Sequence, residues 1–184
     1  VGLAGAALGW RPAIAPVQLR SGGVYADALV QRGAQLAAIG NCVHCHSADG
    51  GAPLAGGRAV ETPFGPVVAT NITPDARHGI GAWSFSAFQR AMREGVARDG
   101  RHLYPAFPYT AFTRASDDDL QALYAWLMSQ PAVASTPPSG ALRAPFNWRA
   151  LMGPWNALFL QTGPAPADPS RSAQWNRGAE LVNG

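Results

Sequence analysis

Cys42-Val43-His44-Cys45-His46 decides the reading of this 184-residue chain. Two cysteines separated by two residues and followed at once by histidine carry the spacing for attachment of a c-type haem. Each thiol can form a thioether to one haem vinyl group, and the histidine can then reach the iron. The spacing lets both sulfurs face the porphyrin edge from one turn, with His46 pointing across the ring face. Cys42 and Cys45 are the only cysteines, so none is left for another purpose once haem is attached. Two other readings compete. The pair can close a short-loop disulfide of the thioredoxin type, but that motif wants a preceding buried strand, and Leu36-Ala37-Ala38-Ile39 continues a helical pattern. The pair can also be half of a zinc site completed by His46 and one of His44, His78 or His102, without the usual second ligand pair. His44 occupies a variable position inside the motif and reads as solvent-exposed.

The length suits one compact domain plus extensions. The formal net charge is +3, and all fourteen basic residues are arginine, a bias that reads as genomic composition and not as a nucleic-acid surface. Arg90, Arg93, Arg98 and Arg101 form the densest run. Glu94 and Asp99 break it, which reads as a solvated face, or as a guanidinium source for haem propionates, since guanidinium matches carboxylate bidentately. The first ten residues are apolar but too few for a bilayer span of roughly 20 residues. They read as the end of a membrane helix, with Trp10 and Arg11 at the interface, or as the remains of a signal segment. Haem attachment to this motif in bacteria implies export, so either reading gives a periplasmic domain.

Residues 1–23 are therefore expected to be the end of an anchor or signal segment plus a linker, and 24–130 to be the haem domain. Val24 to Ile39 has a helical pattern stopped by Gly40, and Gly33 inside it suggests a closely crossing helix. Ala48 to Ile80, rich in Gly, Pro and Asn, reads as a long ordered loop held by a cofactor. Ser84 is placed to cap a helix carrying Phe85, Phe88 and Met92, with Gly95 just past its end. Gly100 to Ala111 reads as a loop. Ser116 is placed to cap a helix with Asp117, Asp118 and Asp119 in its first turn and an apolar stripe of Leu120, Leu123, Tyr124 and Leu127. Residues 131–175 read as a Pro-rich linker followed by an aromatic strap, interrupted at Gly153-Pro154, that either packs on the domain or docks a partner or membrane. Finally, Gln31-Arg32-Gly33-Ala34-Gln35-Leu36 is echoed by Asn176-Arg177-Gly178-Ala179-Glu180-Leu181. Residues 176–184 thus read as the start of a second, truncated haem domain, and the chain as a fragment of a longer polypeptide.

The order helix, haem motif, long loop, helix, ligand loop, helix resembles class I cytochrome c, an all-α fold with long haem-wrapping loops, here with an irregular C-terminal extension. More narrowly, the chain resembles the first haem domain of the membrane-associated triheme cytochrome c subunits of bacterial periplasmic dehydrogenases. Those serve alcohol, aldehyde and gluconate dehydrogenases and molybdenum hydroxylases of the isoquinoline and nicotinate type. The matching motifs are Arg32-Gly33-Ala34, Gly40-Asn41-Cys42 through His46, Thr62-Pro63-Phe64-Gly65, Thr70-Asn71-Ile72-Thr73-Pro74-Asp75, Gly79-Ile80-Gly81-Ala82-Trp83-Ser84, Leu103-Tyr104-Pro105-Ala106, Trp155-Asn156 and the closing Arg-Gly-Ala. The resemblance implies one covalent haem c with His46 as proximal ligand. It implies that the carbonyl of Pro53 accepts the other ring N–H of that histidine, that Leu54 packs on the ring, that Gly33 sits against Tyr124 or Trp126, and that Arg58 and Trp83 serve the propionates.

One departure from the pattern concerns the sixth ligand. Much of the family places a methionine after Leu-Tyr-Pro-Ala, where this chain has Phe107, and phenylalanine cannot bind iron. The site is then vacant, or filled by His102, Met92, Met128 or Met152, and loss of Met/His ligation should lower the potential. The function implied is electron transfer without bond chemistry on a substrate. Electrons would pass from a molybdopterin, quinone or flavin catalytic subunit, through further haem domains, toward ubiquinone or a terminal oxidase. A haem enzyme or gas sensor with an open iron site is the alternative, and a structural zinc module a third.

Overall fold

The computed structural model describes residues 11–18, 25–164 and 166–183. The expected anchor or signal remnant over 1–10 lies outside the described residues. Among them the elements are α1 (Asp27–Ile39), α2 (Cys42–Cys45), β1 (Ala59–Val60), β2 (Val67–Val68), α3 (Phe85–Glu94), α4 (Tyr109–Phe112), α5 (Asp117–Met128), a 3-10 turn (Arg149–Leu151), α6 (Met152–Phe159) and α7 (Ala173–Asn183). The helices match the all-α expectation except for the small antiparallel hairpin, which pairs Ala59 with Val68 and Val60 with Val67. Its valines favour extended backbone. Its turn is closed by Thr62, whose hydroxyl donates to the Gly65 carbonyl at 2.6 Å. Chain contacts divide into two units: Ala15–Ser86 with Gln121–Trp148, and the described residues up to Ile14 with Ala87–Leu120 and those from Arg149 on.

The first unit carries the haem motif. In α1, Asp27 occupies the first turn, where the helix dipole favours a carboxylate, and the buried residues are Gly33 and Ala37. Glycine is required at 33: a Cβ there would stand 2.0 Å from the Ala122 carbonyl oxygen and 2.6 Å from the Trp126 Cβ. The crossing partners are thus Ala122 and Trp126. Tyr124, the other partner expected, turns instead to Tyr25 and Phe85, with ring centroids at 6.5 and 5.7 Å, and its hydroxyl donates to the Trp83 carbonyl. The Pro-rich stretch 131–145 has no regular secondary structure, yet it is held in place. The amide of the buried Asn71 donates to the carbonyls of Val133 and Ser135, Ala141 N–H donates to Pro66, and Phe64 stacks on Phe146 at 4.0 Å.

In the second unit arginines take the place of a glycine crossing. Arg93 donates to the carbonyls of Thr113 and Ala115 and pairs with Asp117. Arg90 donates to the carbonyls of Pro12, Ala97 and Arg98, and Arg98 donates to that of Ile14. The run expected to be a solvated face is therefore largely turned inward, because loop carbonyls need donors and a guanidinium offers five in a fixed fork; Arg101, paired with the exposed Asp99, is the exposed member. Residues 11–14 are correspondingly docked and do not hang as a free linker. Tyr109, in a short helix where a loop was expected, is fully buried and donates to Asn156 Oδ1 at 2.7 Å. Gly153-Pro154 does not interrupt the aromatic segment: both lie in the first turn of α6, where a proline costs no helical hydrogen bond. Ser116 caps α5 through its hydroxyl and the Asp119 N–H, as expected.

Two outcomes follow. Gly33→Ala lowers stability by about 2 kcal/mol, because overpacking at the crossing outweighs the gain in helix propensity; the urea midpoint measures it. Burial holds Tyr109 and Tyr124 up to about 12. Between the ordinary phenol value near 10 and that value, the folded state keeps protons that the unfolded state releases, so stability falls as pH rises through that window. Denaturant midpoints from pH 9 to 12 read this directly, and Tyr109→Phe flattens the decline.

Candidate functional site

The site begins where α1 stops. Gly40 N–H closes the helix on the Leu36 carbonyl, and Asn41 turns the chain with a positive φ of 56°, a conformation that asparagine tolerates. The turn lets α2 start at once, and His46 N–H still reaches the Cys42 carbonyl at 3.0 Å. Cys42 and Cys45 thus lie on one helical turn, both as free thiols. In the unattached chain, burial and then the neighbouring Cys45 push the Cys42 thiol up to about 11.

The chain after His46 folds back on itself. Ser47 Oγ donates to the Val43 carbonyl and accepts the Leu54 N–H. Gly56 N–H reaches the His46 carbonyl at 2.7 Å. A Cβ on Gly56 would fall 2.6 Å from the Thr70 carbonyl carbon, so glycine is what lets the two arms of the loop touch. Leu54 is 2 % exposed with φ 62°, a conformation that leucine rarely takes and that the surrounding hydrogen bonds enforce.

That contact places the Thr70 carbonyl oxygen 2.7 Å from His46 Nδ1. A carbonyl can only accept, so Nδ1 carries the proton and Nε2 keeps its lone pair. Burial lowers the His46 pKa, with the Thr70 bond opposing it in part; both the tautomer and the charge state suit a metal ligand. The partner is Thr70, correcting the expectation of Pro53. Pro53 is exposed, and the loop doubles back so that the hairpin arm, and not residue 53, brings its carbonyl to the ring. Arg58 laces the same loop, donating to the Ser47 carbonyl and pairing with Asp49 at 2.5 Å. Trp83 is half-buried, and its carbonyl serves Tyr124. Among the described residues no group of three or more His, Cys, Asp or Glu side chains gathers to hold a metal ion, so the zinc alternative lacks a ligand set there.

In the other unit, Phe107 packs its ring on Phe112 and Tyr109 at 5.5 and 6.2 Å. His102 is buried, its carbonyl accepts Arg149, and its Nδ1 stands 3.5 Å from Asn156 Nδ2. Met92 and, in the first unit, Met128 are buried, while Met152 is half-buried in the first turn of α6.

Two thiols on one turn, followed by a neutral imidazole whose outer nitrogen is already bonded, define a c-type haem protein, and the residues present fit that group. The cytochrome c family model matches residues 30–131, and the chain belongs to the cytochrome c family, which carries haem c attached covalently; Cys42 and Cys45 stand in the Cys-x-x-Cys-His motif suited to that attachment. The chain is 57 % identical to a nicotinate dehydrogenase subunit of Pseudomonas putida over 184 residues, all of this chain and 16 % of that protein. It is 46 % identical to the gluconate 2-dehydrogenase cytochrome c subunit of Pantoea cypripedii over 72 % of this chain and 30 % of that one. It is 38 % identical to the cytochrome c subunit of the quinone alcohol dehydrogenase of Gluconobacter oxydans over 86 % of this chain and 34 % of that one. The chain thus spans about a third or less of these relatives.

Sequence reading passed over Thr70 and Ser47. Thr70 opens a motif that the resemblance picked out, but it acts through its backbone, which no side-chain signal reveals. Ser47→Ala is expected to cost about 1 kcal/mol by removing the acceptor of the Leu54 N–H, read as a lower midpoint in thermal unfolding.

Proposed function

We propose that this chain is an electron-transfer haem module of a dehydrogenase's cytochrome c subunit, periplasmic and associated with the inner membrane. It would take electrons from a molybdopterin, quinone or flavin catalytic subunit and pass them, through further haem modules of the same polypeptide, toward ubiquinone or a terminal oxidase. The observation that carries this reading is the pre-set His46: protonated on Nδ1, neutral, and next to two thiols on one turn. Relatives named as a subunit of nicotinate dehydrogenase and as cytochrome c subunits of alcohol and gluconate dehydrogenases support it. Export to the periplasm is supported by the chemistry of haem attachment alone; among the described residues no helix is long and apolar enough to cross a membrane.

When bound, the haem supplies one-electron exchange at iron. The chain's own residues do the rest. Cys42 and Cys45 would anchor it and His46 would ligate it through Nε2, while the Thr70 carbonyl fixes that ring and raises its basicity. In the arrangement the resemblance implies, Leu54 would pack on the ring, and Arg58 and Trp83 would serve the propionates. Phe107, where much of the family has methionine, offers no ligand atom, and loss of Met/His ligation would lower the potential.

The reading is tested in the intact dehydrogenase complex. Adding the dehydrogenase's substrate should reduce the haem attached at Cys42 and Cys45; a haem that stays oxidised while the substrate is consumed would overturn electron transfer. Carbon monoxide should bind the ferrous protein readily, and Phe107→Met should block that binding and raise the midpoint potential.

A further inference from the structure

Helix α7 repeats the pattern of α1. Arg-Gly-Ala and the leucine of Gln31–Leu36 recur at the same register in Asn176–Leu181. In α1 the face of Val30, Gly33 and Ala37 is the covered one, with Gly33 and Ala37 buried and the Ala122 backbone against Gly33. The register-equivalent face of α7 is Trp175, Gly178 and Val182, spaced at i, i+3 and i+7 on one side of the helix. That face is open to solvent: Trp175 is 50 % exposed, with only the Arg171 guanidinium over its ring at 5.2 Å, Val182 is 84 % exposed, and a Cβ on Gly178 would meet nothing within 4 Å. Glycine weakens a helix interior, and nothing around Gly178 requires it. In α1 the same glycine is required, because another helix presses on it.

Another edge of α7 is firmly held. Arg177 pairs with the carboxylate of Asp119, which is 3 % exposed. Arg177 also meets Glu180 Oε2 at 2.8 Å, and Glu180 Oε1 accepts the Ser116 N–H at 2.9 Å. The corresponding positions of α1 are Arg32, which is exposed, and Gln35, which is uncharged. The acidic partner at 180 and the buried acid at 119 are therefore what distinguish α7 from its counterpart.

We infer that α7 is a beam shared by two cytochrome c modules. Its Trp175, Gly178 and Val182 face receives a helix whose backbone approaches Gly178 as Ala122 approaches Gly33, the closing helix of a second module. Its Arg177 and Glu180 edge clamps that module to the Ser116–Asp119 turn. The occupant follows from the register, since the first copy of the motif shows what a glycine at this position is for. The clamp makes the connection between modules stiff despite the Pro-bearing segment that precedes α7. The inference rests on the proposal that the polypeptide carries further haem modules.

The test uses the full polypeptide and counts haem per chain by pyridine haemochrome, with the Cys42/Cys45 haem followed by peptide mass. The parent is expected to carry more than one haem. Gly178→Leu should lose one while retaining that at Cys42 and Cys45, since α7 itself has room for the side chain. Asp119→Asn, and Glu180→Gln as a variant that leaves the buried acid in place, should keep every haem but let trypsin cut at Arg177 about tenfold faster, as the opened clamp exposes it. A parent with a single haem refutes the proposal of further modules. Several haems, all retained in Gly178→Leu, overturn the docking face. No faster cleavage in either clamp variant overturns the clamp.

Discussion

The hydrogen bond from His46 to the Thr70 carbonyl governs the site. It joins the attachment turn to the far arm of a long loop, and everything between those two residues is arranged to make it. Ser47 holds the chain as it leaves the motif, Leu54 accepts a rare backbone conformation, Gly56 allows two backbones to touch, and the small hairpin delivers residue 70. A loop so poor in secondary structure must satisfy its polar backbone by such cross-links. The same cross-links fix which nitrogen of His46 carries the proton and which keeps its lone pair.

The two units reach order by different physics. Around the haem motif, a glycine lets two helices approach until one side chain would be too many, and aromatic rings around Tyr124 fill the flank. In the other unit, loops dominate, and guanidinium groups do what helix packing does elsewhere. Arg90 gathers carbonyls from two separate segments, and Arg93 gathers two from the turn before α5. Lysine, with one charged point on a flexible stem, could not bind them with the same geometry.

Much of this was legible because it depends on side-chain type and spacing. The cysteine pair and histidine announce the cofactor; Gly33 announces a helix crossing; Ser116 and its aspartates announce a helix start. What escaped was written in the backbone or in tertiary context. Thr70 contributes a carbonyl that any residue could supply. The arginines between 90 and 98 look solvated until the carbonyls that they bind are placed in space. Asp119 reads as one more acid at a helix start, and only the fold shows it buried against Arg177. Gly153-Pro154 looks like an interruption because glycine and proline disfavour helix interiors, yet the first turn of a helix has no such objection.

The crossing at Gly33 also bears on the order of events as the chain folds. The turn bearing Cys42 and Cys45 is made from neighbours in sequence, whereas Gly33 meets residues that are synthesised long after it. Contacts between distant residues carry a larger loop-closure entropy and tend to form late. The turn of the thiols and their histidine, closed by Asn41 and Cys42 carbonyls, therefore does not wait for that crossing, which needs residues 122 and 126.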